Sequence, residues 1–92
     1  MFTVFGFYKF QKINNLKKNQ KILSNLLNNR NINGSIIISK EGLNGSISGM
    51  NKDIKTTIIR LKKILNIKKF DSVNNSISKF KPFHKPKVKI KR

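Results

Sequence analysis

Two apolar stripes at helical spacing constrain this chain more than anything else in it. In residues 15–28, Leu16, Leu23 and Leu27 recur on one face, reinforced by Ile22 and Leu26, while Lys17, Lys18 and Lys21 fall on the other. In residues 52–66, Ile54, Ile58, Leu61 and Leu65 repeat the pattern, with Ile59 and Ile64 beside them. Asn14 or Asn15 is placed to cap the first helix and Asn51 the second, and Asp53 in the second helix's first turn complements its dipole. Around the stripes lie aromatic and β-branched runs that suit strands: "FTVFGFYKF" (2–10), "INGSIIIS" (32–39), "SISGM" (46–50) and residues 72–80. The order is strand, helix, strand, strand, helix, strand. Right-handed crossovers turn that order into an α+β, ferredoxin-like βαββαβ plait: an antiparallel sheet with both helices on one face.

On the first strand, Phe2, Val4, Tyr8 and Phe10 share one face, and Phe5 and Phe7 lie on the other. Apolar side chains on both faces predict a central strand, or one whose outer face meets a partner. The block "SKEGLNGSISGM" (39–50) holds Gly42, Gly45 and Gly49. Glu41, Gly42, Asn44 and Gly45 are expected to form the turn of a hairpin, because Asn-Gly tolerates positive φ at both positions. Glu41 is expected to bond turn amides or pair with a lysine. A phosphate-cradling reading of these glycines is poor, since the loop joins two strands and lacks a Lys-Ser/Thr ending.

Charge narrows the partner. Against 21 Lys plus Arg stand three acids, giving a formal net charge of +18 in 92 residues. A single small domain with that field attracts polyanions. The wealth of Lys, Asn and Ile also fits an AT-rich genome, which explains the choice of lysine over arginine better than it explains the scarcity of acid. Cysteine is absent, which removes disulfides and thiolate chemistry. Lys9 and Lys12 interrupt the apolar N-terminus before a membrane-spanning length, so no signal or transmembrane segment is read there, no membrane partner is expected, and a cytoplasmic location follows.

The plait is assigned to residues 1–80 and a basic extension or extra strand to residues 81–92, "KPFHKPKVKIKR". Lys79, Lys81, Lys85, Lys87, Lys89 and Lys91 all fall on odd positions. In an extended chain after Pro86, Val88 and Ile90 point one way and Lys87, Lys89 and Lys91 the other. Such a ridge suits phosphates at backbone spacing, and it also suits protection of an exposed sheet edge. These lysines, with Arg92, are the candidate nucleic-acid contacts. Tyr8 and Phe83 are candidates for base stacking, with packing on the sheet as the alternative for Phe83. His84 has no second histidine or cysteine to build a metal site and no orienting partner for acid–base work, so neither a metal nor a cofactor is expected.

Three segments, "FYKF" (7–10), "GSIIISKEGLNGSISG" (34–49) and "KPFHKPKVKIK" (81–91), resemble the N-terminal domain of the rhodanese-related tRNA uridine hydroxylases. The resemblance spans the whole chain and its central block is the most specific part. It implies an acylphosphatase-like form of the plait. It further implies a parent oxidoreductase of tRNA processing that hydroxylates the wobble uridine at carbon five using oxygen, with this basic domain helping to hold tRNA. In that family a following rhodanese-like domain carries the required cysteine, and here no position can take its role. The expectation is therefore an RNA-binding accessory domain that is not catalytic alone, from an excised domain, a truncated gene or a split gene. The second expectation is a structural domain that docks on a rhodanese-like partner, or a remnant without function. Oligomeric state is left open. Acylphosphatase chemistry is not expected, because "QKINN" (11–15) after the first strand has neither glycine nor arginine.

Overall fold

The computed structural model describes residues 1–91. Within them the chain runs β1 (Phe2–Phe10), α1 (Leu16–Asn29), β2 (Asn33–Ser39), β3 (Gly42–Gly49), α2 (Asn51–Leu65), β4 (Ser72–Ser78) and β5 (Pro86–Ile90). The strands form one sheet in the order β4-β1-β3-β2-β5. The four strands of the plait pair antiparallel, as expected. The fifth pairs parallel to β2, so the complete sheet is mixed.

Both helices lie on the face that carries Phe5 and Phe7. The stripes drive this: Leu23 and Leu27 of α1 and Ile54 and Leu61 of α2 are buried with Ile36, Ile38, Leu43 and Ile47 of the sheet. Phe5, Phe7 and Phe70 form an aromatic group in that core, the Phe7 and Phe70 rings 5.1 Å apart. Such burial contributes about 2 kcal/mol for each large aliphatic side chain.

The helix starts differ from expectation. Asn15 precedes α1 in the left-handed region, with φ 51°, and makes no side-chain cap. Asn19 instead reaches back with its side-chain amide to the Asn14 carbonyl, at 2.8 Å. At α2 the capping position is Met50, and Asn51 is already helical; its side-chain oxygen accepts from Thr3 Oγ1.

The hairpin turn also lies elsewhere. Ser39 pairs with Gly42, so the two-residue turn is Lys40–Glu41, and Asn44 and Gly45 sit within β3 opposite Tyr8 and Phe7. Gly42 has φ +152°, and a side chain there would run into the Lys9 carbonyl of β1. A Cβ at Gly45 would stand 2.7 Å from Phe7 Cζ, so that glycine serves packing against the aromatic core.

Candidate nucleic-acid interface

The face of the sheet away from the helices is uncovered over much of its area. Strand register lays the side chains of this face out in transverse rows. One row runs Ser72, Tyr8, Asn44, Ile37, Lys89 across all five strands. The next runs Asn74, Gly6, Ser46, Ser35, Lys87. At strand spacing each row is about 19 Å long. The second row has only small side chains between its ends, so it forms a shallow trough beside Tyr8. Tyr8 and Phe10 are exposed, with ring centroids 4.7 Å apart and tilted by 59°.

Three contacts hold β5 as the basic edge of this face. Gly34 N donates to the Lys85 carbonyl at 2.9 Å, and Lys91 N donates to the Ile38 carbonyl at 2.8 Å. From α1, Gln20 Nε2 donates to the Val88 carbonyl at 2.8 Å. Val88 is buried against the core, which turns its neighbours Lys87 and Lys89 outward. The neighbouring Lys89 ammonium first, and Lys85 after it, hold the Lys87 pKa below the ordinary lysine value. Like charges are thus crowded where an anion would relieve them.

The expected lysines do not all gather here. Lys85, Lys87, Lys89 and Lys91 form the ridge. Lys79 follows β4, at the opposite edge of the sheet. Lys81 lies in a cleft at the strand ends with Phe2, Asn33 and Ser48. The reason is topological: residues 79–85 must pass from one edge of the sheet to the other, which alternation along the chain does not reveal. Arg92 lies outside the described residues. Phe83 is half-buried, whereas Phe80 is 81% exposed.

Other basic groups join the ridge. Lys17 at the start of α1 and Lys40 in the turn line one cleft with Lys91 and Glu41. The sequence does not reveal either lysine here: the packing of α1 against β5 brings Lys17, and the pairing of β5 with β2 brings Lys40. Phe10 and Asn44 flank Tyr8 on this face, Phe10 where the alternation of β1 already placed it and Asn44 in β3 instead of the expected turn. Glu41 is exposed and its backbone amide bonds Ser39 Oγ at 3.2 Å. Lys9 and Asp71 make the one ion pair among the described residues, at 3.5 Å.

The connection between β1 and α1 is not arranged to hold a phosphoryl group. Its Gln11 and Ile13 amides donate to the carbonyls of Glu41 and Lys40. Those donors are used up in tying the loop to the hairpin. No helix among the described residues is long and apolar enough to cross a membrane.

Comparison with known proteins agrees with this geometry at the level of the fold. The family described as "UPF0176 acylphosphatase like domain" matches residues 2–92. A tRNA uridine(34) hydroxylase of Pelagibacter ubique is 62% identical over 92 residues, covering all of this chain and 31% of that protein. One from Rickettsia bellii is 33% identical over 81 residues, covering 85% of this chain and 32% of its own length. The chain therefore spans about a third of the length of these curated relatives. Among solved structures, an acylphosphatase from Coxiella burnetii superposes with a TM-score of 0.70 at 10% identity, covering 96% of this chain and 93% of its own. One from Bacillus subtilis gives 0.65 at 10% identity, covering 99% and 100%. At such identity the likeness concerns the fold alone.

Proposed function

Because the chain belongs to the UPF0176 acylphosphatase-like domain family, we propose that it is the tRNA-binding domain of a tRNA uridine hydroxylase, an enzyme forming 5-hydroxyuridine at the wobble position. The observation that carries this reading is the ridge Lys85, Lys87, Lys89 and Lys91 on one edge of an open sheet face. Four ammonium groups there, extended by Lys17 and Lys40, match the spacing and sign of a folded RNA backbone. In this reading the domain positions tRNA in the cytoplasm and does no chemistry alone. It has no cysteine, and the residues that oxidise uridine belong to the rest of the longer enzyme.

The test is titration of the chain with tRNA at two salt concentrations. Binding is expected to weaken steeply with salt, and the triple change K87E, K89E, K91E is expected to abolish it. Binding indifferent to both would reject the reading.

A second reading rests on a different surface. Val73 and Ile77 project from β4 on the helix side of the sheet yet remain 55% and 72% exposed, and Ile77 shares a cleft with Ile54 and Ile58 of α2. This apolar strip suits docking of a rhodanese-like domain. Co-purification of such a separately expressed domain, lost in V73E and I77E, would support it. Phe5 and Phe7 are buried within the domain itself and are not available for that role.

A further inference from the structure

The exposed aromatic residues of β1 border a cleft that the lysine ridge alone does not explain. Tyr8, Phe10, Ile37, Ser39, Glu41, Asn44 and Lys91 line a depression of about 140 Å³ on the open face. Its wall is Tyr8 and Phe10, 37% and 64% exposed. Asn44 stands directly across from Tyr8 and Ile37 across from Asn44. An exposed aromatic pair at one end of an open sheet face forfeits burial unless something flat covers it.

We propose that this cleft receives one unpaired nucleobase of a single-stranded RNA segment lying across the open face. The inference deepens the tRNA-binding reading and rests on it. Charge selects the occupant: Lys91 at the cleft and Lys89 in the row of Tyr8 put cations on one side of the aromatic pair, where the sugar–phosphate strand of a stacked base runs. Asn44 has an amide with both donor and acceptor to offer to a base edge. Glu41 adds an acceptor at the rim, which turns phosphates toward the lysines and attracts base N–H groups. The trough of Gly6, Ser46 and Ser35 gives the strand room to leave the cleft toward Lys87. A duplex has no unstacked base to offer, so the cleft distinguishes single strands from helices.

The chain reports on this site directly, since Tyr8 is its one tyrosine and it has no tryptophan. Tyrosine emission is followed while the chain is titrated at low salt with single-stranded RNA hexamers, with an RNA duplex and with tRNA. Hexamers and tRNA are expected to quench Tyr8; the duplex is expected to bind without quenching. F10A and N44A should weaken hexamer binding about tenfold, the loss expected for one stacked or read base, and leave duplex binding within about twofold. F10Y should restore the hexamer affinity. Phe10 and Asn44 are exposed, so the variants retain the fold, which far-ultraviolet circular dichroism verifies. Binding of tRNA and hexamers with Tyr8 emission unchanged overturns this inference and leaves the tRNA reading standing. Quenching by hexamers in a chain that ignores tRNA supports the cleft and overturns the tRNA reading. No binding to any RNA overturns both.

Discussion

Phe10 and Asp71 fasten the end of β1 to the approach to β4: the Phe10 backbone N–H donates to Asp71 Oδ2 at 2.7 Å, and the Asp71 N–H in turn donates to the Tyr8 carbonyl at 2.8 Å. This double tie fixes the segment that carries both exposed aromatic residues. The Phe10 amide, and then the Lys9 charge, hold the Asp71 carboxyl below the ordinary aspartate range. A depressed carboxylate stabilises the fold above its unfolded-state pKa, and that stabilisation is lost as pH falls through the folded value. D71N is therefore expected to lower the melting temperature at pH 7 and to flatten the acid decline that sets in as pH falls below the ordinary aspartate range. Thermal melts at several pH values check it; an unchanged acid limb would show that the tie contributes nothing.

Salt should stabilise this protein. A net charge of +18 on a body with a radius of gyration of 12.1 Å opposes compaction. The Debye length falls from about 30 Å at 0.01 M to about 10 Å at 0.1 M, so added salt screens repulsion across the whole molecule. The melting temperature is expected to rise through that range, and to rise less in K87Q, which removes a cation flanked by Lys85 and Lys89. Lys87 has the same sign as Asp71, at alkaline instead of acid pH: its folded pKa lies below the unfolded one, so stability is gained as pH climbs from the folded value towards the unfolded one. Melts in sodium chloride at pH 7, with wild type and K87Q side by side, decide it.

Two glycines should respond in opposite ways. Gly34 has φ +119°, and a Cβ there would meet the Ser46 carbonyl and lie 2.7 Å from the Ile47 Cα. G34A combines backbone strain with overlap against an immovable strand, and a loss of at least about 1–3 kcal/mol is expected. At Gly6 the nearest atom to an added Cβ is the Asn74 carbonyl oxygen at 3.7 Å. G6A is expected to change stability by no more than about 0.5–1 kcal/mol, in the stabilising direction. Urea unfolding of both variants tests the pair, and equal effects would contradict it.

The plait was legible because its determinants are periodic. Leu23 and Leu27, or Ile54 and Leu61, announce a buried helix face at any point where they occur, and the alternation of residues 87–90 likewise announced a strand with a basic side. The turn was misplaced because Asn44-Gly45 carries a strong hairpin signal for another reason: Gly45 is small to admit the Phe7 ring, a demand made by a residue 38 positions away. The lysines divided for a similar reason. Lys79 and Lys91 share a parity along the chain, but β4 and β5 are opposite edges of the sheet. Lys17 and Lys40 are far from Lys91 in sequence; the packing of α1 against β5 brings Lys17 to it, and the pairing of β5 with β2 brings Lys40.

That division gives the sharpest prediction about the interface. If phosphates follow the β5 edge, charge reversal should matter according to position in the fold and not position in the sequence. K17E and K40E, on elements distant in sequence from the C-terminal run, face Lys91 across one cleft and are expected to weaken tRNA binding. Each should lower the slope of log affinity against log salt by about one, the signature of one lost phosphate contact. K79E changes the net charge by the same amount but lies some 19 Å across the sheet from the ridge. Its effect should be confined to the general field, a modest drop in affinity with the slope nearly unchanged. Measured at three or more salt concentrations, equal slopes for K79E, K17E and K40E would mean that the RNA senses only the total charge, and that the β5 edge holds no defined path for its backbone.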